Sequence, residues 1–238
     1  MKACIVVFPG SNCEKDCQFA IEDGLHGAAS LLFHKEDRLP PGVELVILPG
    51  GFAHGDYLRC GAIAQFSPIM GAVKRFAAEG GLVWGICNGF QVLTECGLLP
   101  GALLRNKSLS YVCKDTYLKV ERDDTPFTRG LVKGQVLRIP VGHGEGNYFI
   151  DPEGLRQLED RRQILYRYVD AAGNVVPEAS PNGALGNIAG IVNAAGNVCG
   201  MMPHPDRCAD PILGNADGLA LFQAIDRHLA QATAGSRS

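Results

Sequence analysis

The sequence is short of several features that would place the chain in a specialised class. Its longest apolar runs fall far short of the roughly 20 residues that cross a membrane, so no membrane contact is predicted. Lysine and arginine, 22 in all against 25 acidic residues, form no cluster, which argues against binding to nucleic acid. The first apolar run is followed by a turn at residues 9–12 instead of a small-residue cleavage site, so no signal peptide is predicted.

Paired cysteines are missing as well. The nine cysteines are an odd number without regular spacing, which indicates reduced thiols in a cytoplasmic protein and not a disulfide framework. Cys13 and Cys17 lie four residues apart and could share a metal, but no second pair such as Cys-x-x-Cys follows them. We therefore predict no metal site and a cytoplasmic location.

What is present is an alternation of apolar strand-like runs with amphipathic segments, which predicts a mostly parallel sheet flanked by helices. From Leu118 onwards, short strand-like runs joined by turns predict antiparallel strand additions to one edge of that sheet. At 238 residues the chain fits one α/β domain, assigned to residues 1–232, with a disordered tail at 233–238. The predicted strands are residues 2–8, 28–33, 44–48, 82–86, 118–120, 135–140, 163–169, 186–193 and 197–202. The predicted helices are residues 13–25, 63–78 with a break near Pro68, and 215–230.

The motif Gly-x-Cys-x-Gly at residues 85–89 directly follows an apolar run that reads as a strand. This pattern predicts a sharp turn from strand to helix that exposes Cys87, the arrangement that carries the serine of Gly-x-Ser-x-Gly hydrolases. The amides and the positive dipole end of the following helix favour a thiolate. Cys87 is therefore predicted to be an activated nucleophile.

A nucleophilic cysteine needs a base, and His204 is the strongest candidate among six histidines. The flanking prolines favour an extended backbone, in which residues two apart point to the same side. Asp206 is then placed to accept a hydrogen bond from the imidazole and to fix its tautomer, the third role of a catalytic triad. For an isolated His-Pro-Asp the alternative is a surface turn with a capping aspartate.

An oxyanion site is predicted at a second strand end, where Gly50 and Gly51 follow the run 44–48. Glycines let backbone amides approach a ligand closely, so the amide of Gly51 or Phe52 is one expected donor. The amide of Asn88, directly after the nucleophile, is the other. Taken alone, the two glycines would indicate only a tight turn.

These residues, together with longer segments, carry a resemblance to a known family. The cysteine motif, the Pro-Gly-Gly-Phe turn and the late His-Pro-acid run resemble those of class I, triad-type glutamine amidotransferases. Further segments resemble the glutaminase component of phosphoribosylformylglycinamidine synthase, and the resemblance spans residues 2–208. These segments are residues 8–13, 50–59, 143–148 and 200–205.

The resemblance implies a glutaminase subunit that works with other proteins. It implies that the chain hydrolyses glutamine through a cysteinyl thioester and supplies ammonia to a separate ATP-dependent synthetase of de novo purine biosynthesis. The implied partners are that synthetase and a small bridging subunit. ATP and Mg²⁺ are expected on the synthetase, and no cofactor is expected on this chain. Because the 238 residues include no synthetase domain, a free-standing subunit is expected.

The resemblance also assigns roles to residues. It implies that Cys87, His204 and Asp206 are the nucleophile, the base and the orienting acid. The family usually has glutamate in the last position, so the shorter Asp206 is expected to lengthen the orienting hydrogen bond or to require a backbone adjustment. Gln91 is implied to hold the amino-acid end of the substrate, and a buried structural glutamine is the alternative. Four further residues are implied to lie beside the pocket: His143, Glu145, Asn147 and Tyr148.

Two other functions stay open on the sequence. One is a stand-alone cysteine hydrolase of similar topology, such as a γ-glutamyl hydrolase-like or deglycase-like enzyme, in which the base lies elsewhere than at His204. The other is a catalytically silent binding module, in which Cys87 is a buried core thiol. The loop at residues 54–59 is predicted to meet the synthetase, with a solvated loop as the alternative.

Overall fold

A computed structural model describes residues 1–235, and the side chains of residues 1–232. The first half alternates strands and helices as the sequence predicts. Its elements are β1 (Lys2–Val7), α1 (Glu14–Leu25), β2 (Ala28–Phe33), β3 (Leu45–Leu48), α2 (Pro68–Ala78), β4 (Leu82–Ile86) and α3 (Asn88–Glu95). The second half contains β5 (Ala102–Leu104), β6 (Val112–Val120), β7 (Val136–His143), β8 (Asn147–Phe149), α4 (Pro152–Asp160), β9 (Ile164–Val169), β10 (Ile188–Val192), β11 (Val198–Met201) and α5 (Asp217–Gly235).

Nine of these strands form one sheet in the order β2-β1-β3-β4-β11-β10-β9-β6-β7. The strands from β2 to β11 run parallel, and the pairs from β11 onwards to β7 are antiparallel. The predicted fold class, a mostly parallel sheet with antiparallel additions in the second half, is therefore confirmed. Burial follows the same division, because every residue of β3 and β4 is buried while burial alternates along β7.

Two parts of the second half go beyond the prediction. Strands β5 and β8 are three residues each and pair only with each other, too short for a periodic pattern to reveal. Helix α4 has a short apolar face, in which Leu158 is buried and Leu155 packs against the core. It begins at the Asp151 cap, which accepts from the amide of Gly154 at 2.6 Å.

The final helix closes the fold over the centre of the sheet. Phe222 of α5 packs edge-on against Trp84 of β4, with ring centroids 4.8 Å apart and both side chains buried. The helix continues to Gly235, three residues into the segment predicted as a tail, and residues 236–238 lie outside the described part. No helix among the described residues is long and apolar enough to span a membrane.

The topology brings the chemistry-bearing loops to one edge of the sheet. Strands β1, β3 and β4 are parallel neighbours, so the loops after them meet at their carboxyl ends, where α/β proteins bind ligands. A bridge between Ser11 and Gly51 joins the first two of these loops directly.

Candidate active site

Cys87 lies at the sharp turn between β4 and α3 with φ 50° and ψ −105°, a conformation that a residue with a side chain rarely adopts. Three backbone hydrogen bonds hold it there. The Cys87 amide donates to the carbonyl of Met201 at 2.7 Å, and the Cys87 carbonyl accepts from the amides of Phe90 and Gln91 at 3.0 and 3.2 Å. Gly89 packs so closely on β3 that a Cβ there would collide with the backbone carbonyl of Leu48. The elbow predicted from Gly-x-Cys-x-Gly is present.

The thiol of Cys87 is enclosed, with 5% of the residue exposed. Its Sγ lies 3.7 Å from the carbonyl oxygen of Gly142 on β7, so an antiparallel strand of the second half forms one wall of the site. The first turn of α3 begins at the next residue, which places the positive end of the helix dipole beside the sulfur.

His204 follows β11 and is buried, and its backbone amide donates to the carbonyl of Pro140 at 2.8 Å. Burial acts to lower the pKa of His204, but the negative charges of Cys87 and Asp206 outweigh it and hold this pKa well above its ordinary value. The structure thus places Cys87 and Asp206 close enough to His204 for their charges to favour the imidazolium form of its ring.

Asp206 lies in a short turn, Pro205–Cys208, and its side chain is fully buried. Both carboxylate oxygens are 3.4 Å from Nδ1 of His204, longer than the usual range for such a bond. The role of Asp206 as the acid that orients His204 stays a prediction.

Gly50 is the residue that lets the imidazole approach the oxyanion strand. A Cβ on Gly50 would lie 2.5 Å from Cε1 of His204 and 3.0 Å from Sγ of Cys13. Any side chain here would therefore displace the histidine, the cysteine or both.

Gly51 adopts φ +140°, and a Cβ there would lie 2.7 Å from the carbonyl oxygen of Gly10. The sequence offers the amide of Gly51 or of Phe52 as an oxyanion donor. The Phe52 amide donates to the Gly10 carbonyl at 2.8 Å, whereas the described residues provide no acceptor for the Gly51 amide. The amide of Asn88 lies at the first position of α3, where amides have no partner within the helix. The amides of Gly51 and Asn88 can therefore donate to a ligand, and their role as oxyanion donors stays a prediction.

The carboxamides of Asn88 and Gln91 tie three segments together. Oδ1 of Asn88 accepts from the Ala53 amide at 3.0 Å, and its Nδ2 donates to Asp56 at 3.2 Å and to Gln91 at 2.9 Å. Gln91 in turn donates to the carbonyl of Glu145 at 2.6 Å. Both polar atoms of the Gln91 side chain are thus engaged in protein contacts, as expected for a buried structural glutamine. The role of Gln91 in holding the substrate stays a prediction.

His143 belongs to a buried polar network that the sequence alone does not reveal. Asn182 donates to Nε2 at 3.3 Å, so the proton lies on Nδ1, which faces Oδ1 of Asn106 at 3.2 Å. The same Asn106 oxygen accepts from the Gly146 amide at 3.0 Å. Burial, together with the nearby charge of His204, lowers the pKa of His143 to about 4. His143 is therefore a neutral support for the loop that follows β7.

Glu145 in that loop, and Asn147 and Tyr148 in β8, also make structural contacts. The Tyr148 hydroxyl donates to the carbonyl of Pro100 at 2.9 Å, and Asn147 donates to the carbonyl of Arg105 at 3.4 Å. The carboxylate of Glu145 lies 3.9 Å from Nε of Arg105.

A cavity of about 330 Å³ opens beside His204, within the size range of small-molecule sites. Cys87 itself does not line it, but Gly51 and Gly142 do, and the carbonyl of Gly142 contacts the Cys87 sulfur. Its lining includes Asn12, Cys13, Tyr111, Cys113, Arg138 and Arg207.

An elbow cysteine, a buried histidine and a following acid at the carboxyl edge of this sheet are the features of a triad-type glutamine amidotransferase. Comparison with known proteins agrees, since residues 1–218 match the family described as the CobB/CobQ-like glutamine amidotransferase domain.

Similar proteins of known identity indicate which subfamily of glutamine amidotransferases the chain belongs to. The chain is 55% identical to phosphoribosylformylglycinamidine synthase subunit PurQ of Salinibacter ruber, over 95% of this chain and 96% of the relative. It is equally similar, at 55%, to PurQ of Moorella thermoacetica, over 94% and 95%. The solved structure of PurLQS from Thermotoga maritima contains a chain with a TM-score of 0.83 and 43% identity, covering 96% of this chain and 98% of that one. The chain belongs to the PurQ family, which confirms the resemblance stated from the sequence.

We expect Gly50→Ala to lower kcat for glutamine hydrolysis at least about 100-fold, because a displacement of about 1 Å in a catalytic group has a cost of this order. The control is Gly71→Ala in α2, whose added Cβ would meet only Arg75 at an ordinary 3.6 Å. Steady-state kinetics on both variants checks this. A wild-type kcat for Gly50→Ala would show that the close approach to His204 has no catalytic importance.

The low pKa of His143 predicts an acid-sensitive stability. Above pH 6.5 the residue is neutral in both states, so its full contribution is present. Below pH 6.5 only the unfolded chain gains the proton, so the free energy of unfolding falls, by up to about 3 kcal/mol as the pH nears 4.

Urea unfolding at pH 7 and pH 4.5 measures this contribution. His143→Gln, which cannot titrate, should be less stable than the wild type at pH 7, and the gap should narrow at pH 4.5. A gap of equal size at both values would contradict a buried neutral imidazole.

Proposed function

We propose that this chain hydrolyses glutamine through Cys87 and delivers the ammonia to a separate synthetase that makes phosphoribosylformylglycinamidine. The observation that carries the proposal is the elbow cysteine in electrostatic contact with a buried histidine, in a chain 55% identical to PurQ subunits. A silent binding module would have no reason to keep a strained backbone at a cysteine beside a charged imidazole.

The first half of the reaction forms a thioester. Cys87 reacts as a thiolate whose proton is already held on Nε2 of His204, and it attacks the side-chain amide carbon of glutamine. The amides of Gly51 and Asn88 stabilise the negative charge that develops on the amide oxygen. His204 then returns its proton to the leaving nitrogen, and ammonia departs.

The second half releases glutamate. His204 takes a proton from water, the hydroxide attacks the thioester carbon, and the Cys87 thiolate leaves as glutamate is released, so the thiolate and the protonated His204 are restored together. In both halves Asp206 faces Nδ1 of His204, keeps the proton there and stabilises the imidazolium. Asp206 is therefore a positioning residue for His204.

The partners follow from the family. The Thermotoga maritima structure is titled PurLQS, and we propose that this chain assembles in the same way with a synthetase and a small bridging subunit. ATP and Mg²⁺ are then expected on the synthetase, with no cofactor on this chain. Nine free cysteines accord with a reducing compartment, so the cytoplasm stays the predicted location.

We expect Cys87→Ala, assembled with its synthetase, to lose glutamine-dependent synthesis by at least about 10⁴-fold, the order found when other enzymes lose a nucleophile. Synthesis from added ammonium salt should persist, because it bypasses the thioester. Cys113→Ala, which removes an exposed thiol, is the control.

Two results would overturn this proposal. Full glutaminase activity in Cys87→Ala would exclude the nucleophile. Equal glutamine hydrolysis by the wild-type chain with and without the synthetase would favour a stand-alone cysteine hydrolase.

A second prediction concerns Asp206. We expect Asp206→Asn to lower kcat by about 10²–10⁴-fold with little change in KM, because the amide removes the charge that orients the imidazole. Asp206→Glu should stay within about tenfold of the wild type, since the longer acid reaches Nδ1 although its extra methylene strains a buried site. Steady-state kcat and KM decide the matter, and an unchanged kcat for Asp206→Asn would remove Asp206 from the triad.

A further inference from the structure

A second cysteine lies against the same histidine as the nucleophile. Cys13, in the loop after β1, is buried, and its Sγ is 3.9 Å from Nδ1 of His204. Asp206 faces the same nitrogen at 3.4 Å. The ligand atoms of these three residues all lie within 4.8 Å of one another, the one such group among the residues that the structure describes.

The carboxylate of Asp206 supplies an independent observation. Its Oδ1 is buried and has no hydrogen-bond partner among the described residues, although it lies 3.4 Å from Nδ1 of His204. A buried carboxylate oxygen without a partner is costly, so native proteins usually satisfy such atoms. A cation between Asp206, His204 and Cys13 would satisfy it.

We propose that Sγ of Cys13, Nδ1 of His204 and the carboxylate of Asp206 form a Zn²⁺ site that reversibly blocks the glutaminase. Thiolate, imidazole and carboxylate are the ligands that zinc takes in proteins. Its bond lengths place tetrahedral ligand atoms about 3.3–3.8 Å apart. The observed 3.4 and 3.9 Å to Nδ1 of His204 lie within a few tenths of an ångström of this range. The ligand atoms of Cys13 and Asp206 lie within 4.8 Å of each other, so zinc binding draws them together by up to about 1 Å.

Zn²⁺ can reach the site through the cavity beside His204, and Arg207 competes with it for the sulfur of Cys13. Cys13, His204 and Arg207 line the 330 Å³ cavity, which admits the ion and a fourth ligand such as water. Nη2 of Arg207 donates to Sγ of Cys13 at 3.1 Å, so the guanidinium occupies the sulfur that zinc would take. The Arg207 side chain is half exposed and lies 3.7 Å from Asp16, which gives it an alternative partner when zinc binds.

Zinc on Nδ1 would stop the reaction, a step that rests on the proposed function. A neutral imidazole with a metal on one nitrogen carries its proton on the other. Nε2 would then be unable to accept the proton of the Cys87 thiol. Asp206 would at the same time be withdrawn from its positioning role.

Zn²⁺ binding is tested on the full chain in a Cys87→Ser background, which removes the competing nucleophile thiol. Competition against a chromophoric chelator under reducing conditions should give one Zn²⁺ per chain. Adding Cys13→Ser or Asp206→Asn should weaken that binding at least about tenfold, since each removes a ligand. Cys113→Ser, which removes an exposed thiol of the same cavity, should leave it unchanged, and Arg207→Gln should strengthen it.

Unchanged affinity with Cys13→Ser, or a loss with Cys113→Ser, would overturn the proposal. Thermal unfolding without metal verifies that each variant folds, and if Cys13→Ser does not, Cys13→Ala and Asp206→Asn decide the matter.

Inhibition of glutaminase activity by Zn²⁺ is the second test of the proposal. Zn²⁺ should inhibit the wild-type chain assembled with its synthetase, a chelator should restore it, and Cys13→Ser should resist the same concentration. Equal inhibition of Cys13→Ser would place the ion between Cys87 and His204 and overturn the proposal. The two proposals can fail separately. If zinc binding depends on Cys13 but the Cys87→Ala variant still hydrolyses glutamine, the proposed function is wrong and the zinc site stands.

Discussion

The strained backbone at Cys87 is the constraint on which the rest of the site depends. A positive φ at a residue with a side chain costs of the order of 1–3 kcal/mol, and it persists only where the surroundings over-determine it. Here β11 holds the Cys87 amide, α3 caps the carbonyl, and the missing side chain of Gly89 lets the helix press onto β3. Because β4 and β11 are parallel neighbours, the strand that fixes the cysteine is also the strand that leads to His204.

The imidazole of His204 lies close to Cys87, Asp206 and Cys13, and opposing effects act on its pKa. Burial disfavours the charged imidazole, while the charges of Cys87 and Asp206 favour it and prevail. The close approach of the ring to the oxyanion strand is available only because Gly50 has no side chain. The same missing side chain admits Cys13, so one glycine accommodates both the base and a second thiol.

The sequence could reveal those parts of the site that rest on local chemistry. Gly-x-Cys-x-Gly after an apolar run predicts the elbow, and the alternation of strands and helices predicts which loops share an edge. The contacts of Cys13 could not be predicted, because 191 residues separate it from His204 and only tertiary packing joins them. The engagement of the Phe52 amide by Gly10 and of Gln91 by Glu145 likewise depends on how loops from different strands meet. Helix α4 is not predicted for another reason, since its nine residues contain only two leucines, Leu155 and Leu158, too few for a clear helical period.

The shorter acid at position 206 links catalysis to the inferred metal site. A glutamate could extend toward Nδ1 of His204 and complete its own hydrogen bonds there. Aspartate stops 3.4 Å away, which weakens the orienting contact and leaves Oδ1 without a partner. That unsatisfied oxygen faces the nitrogen that Cys13 also approaches. Under the proposed function, the short reach that makes Asp206 a weaker orienting acid also makes it available as a zinc ligand. Catalysis and zinc binding then compete for the same imidazole nitrogen, and the protein cannot do both at once.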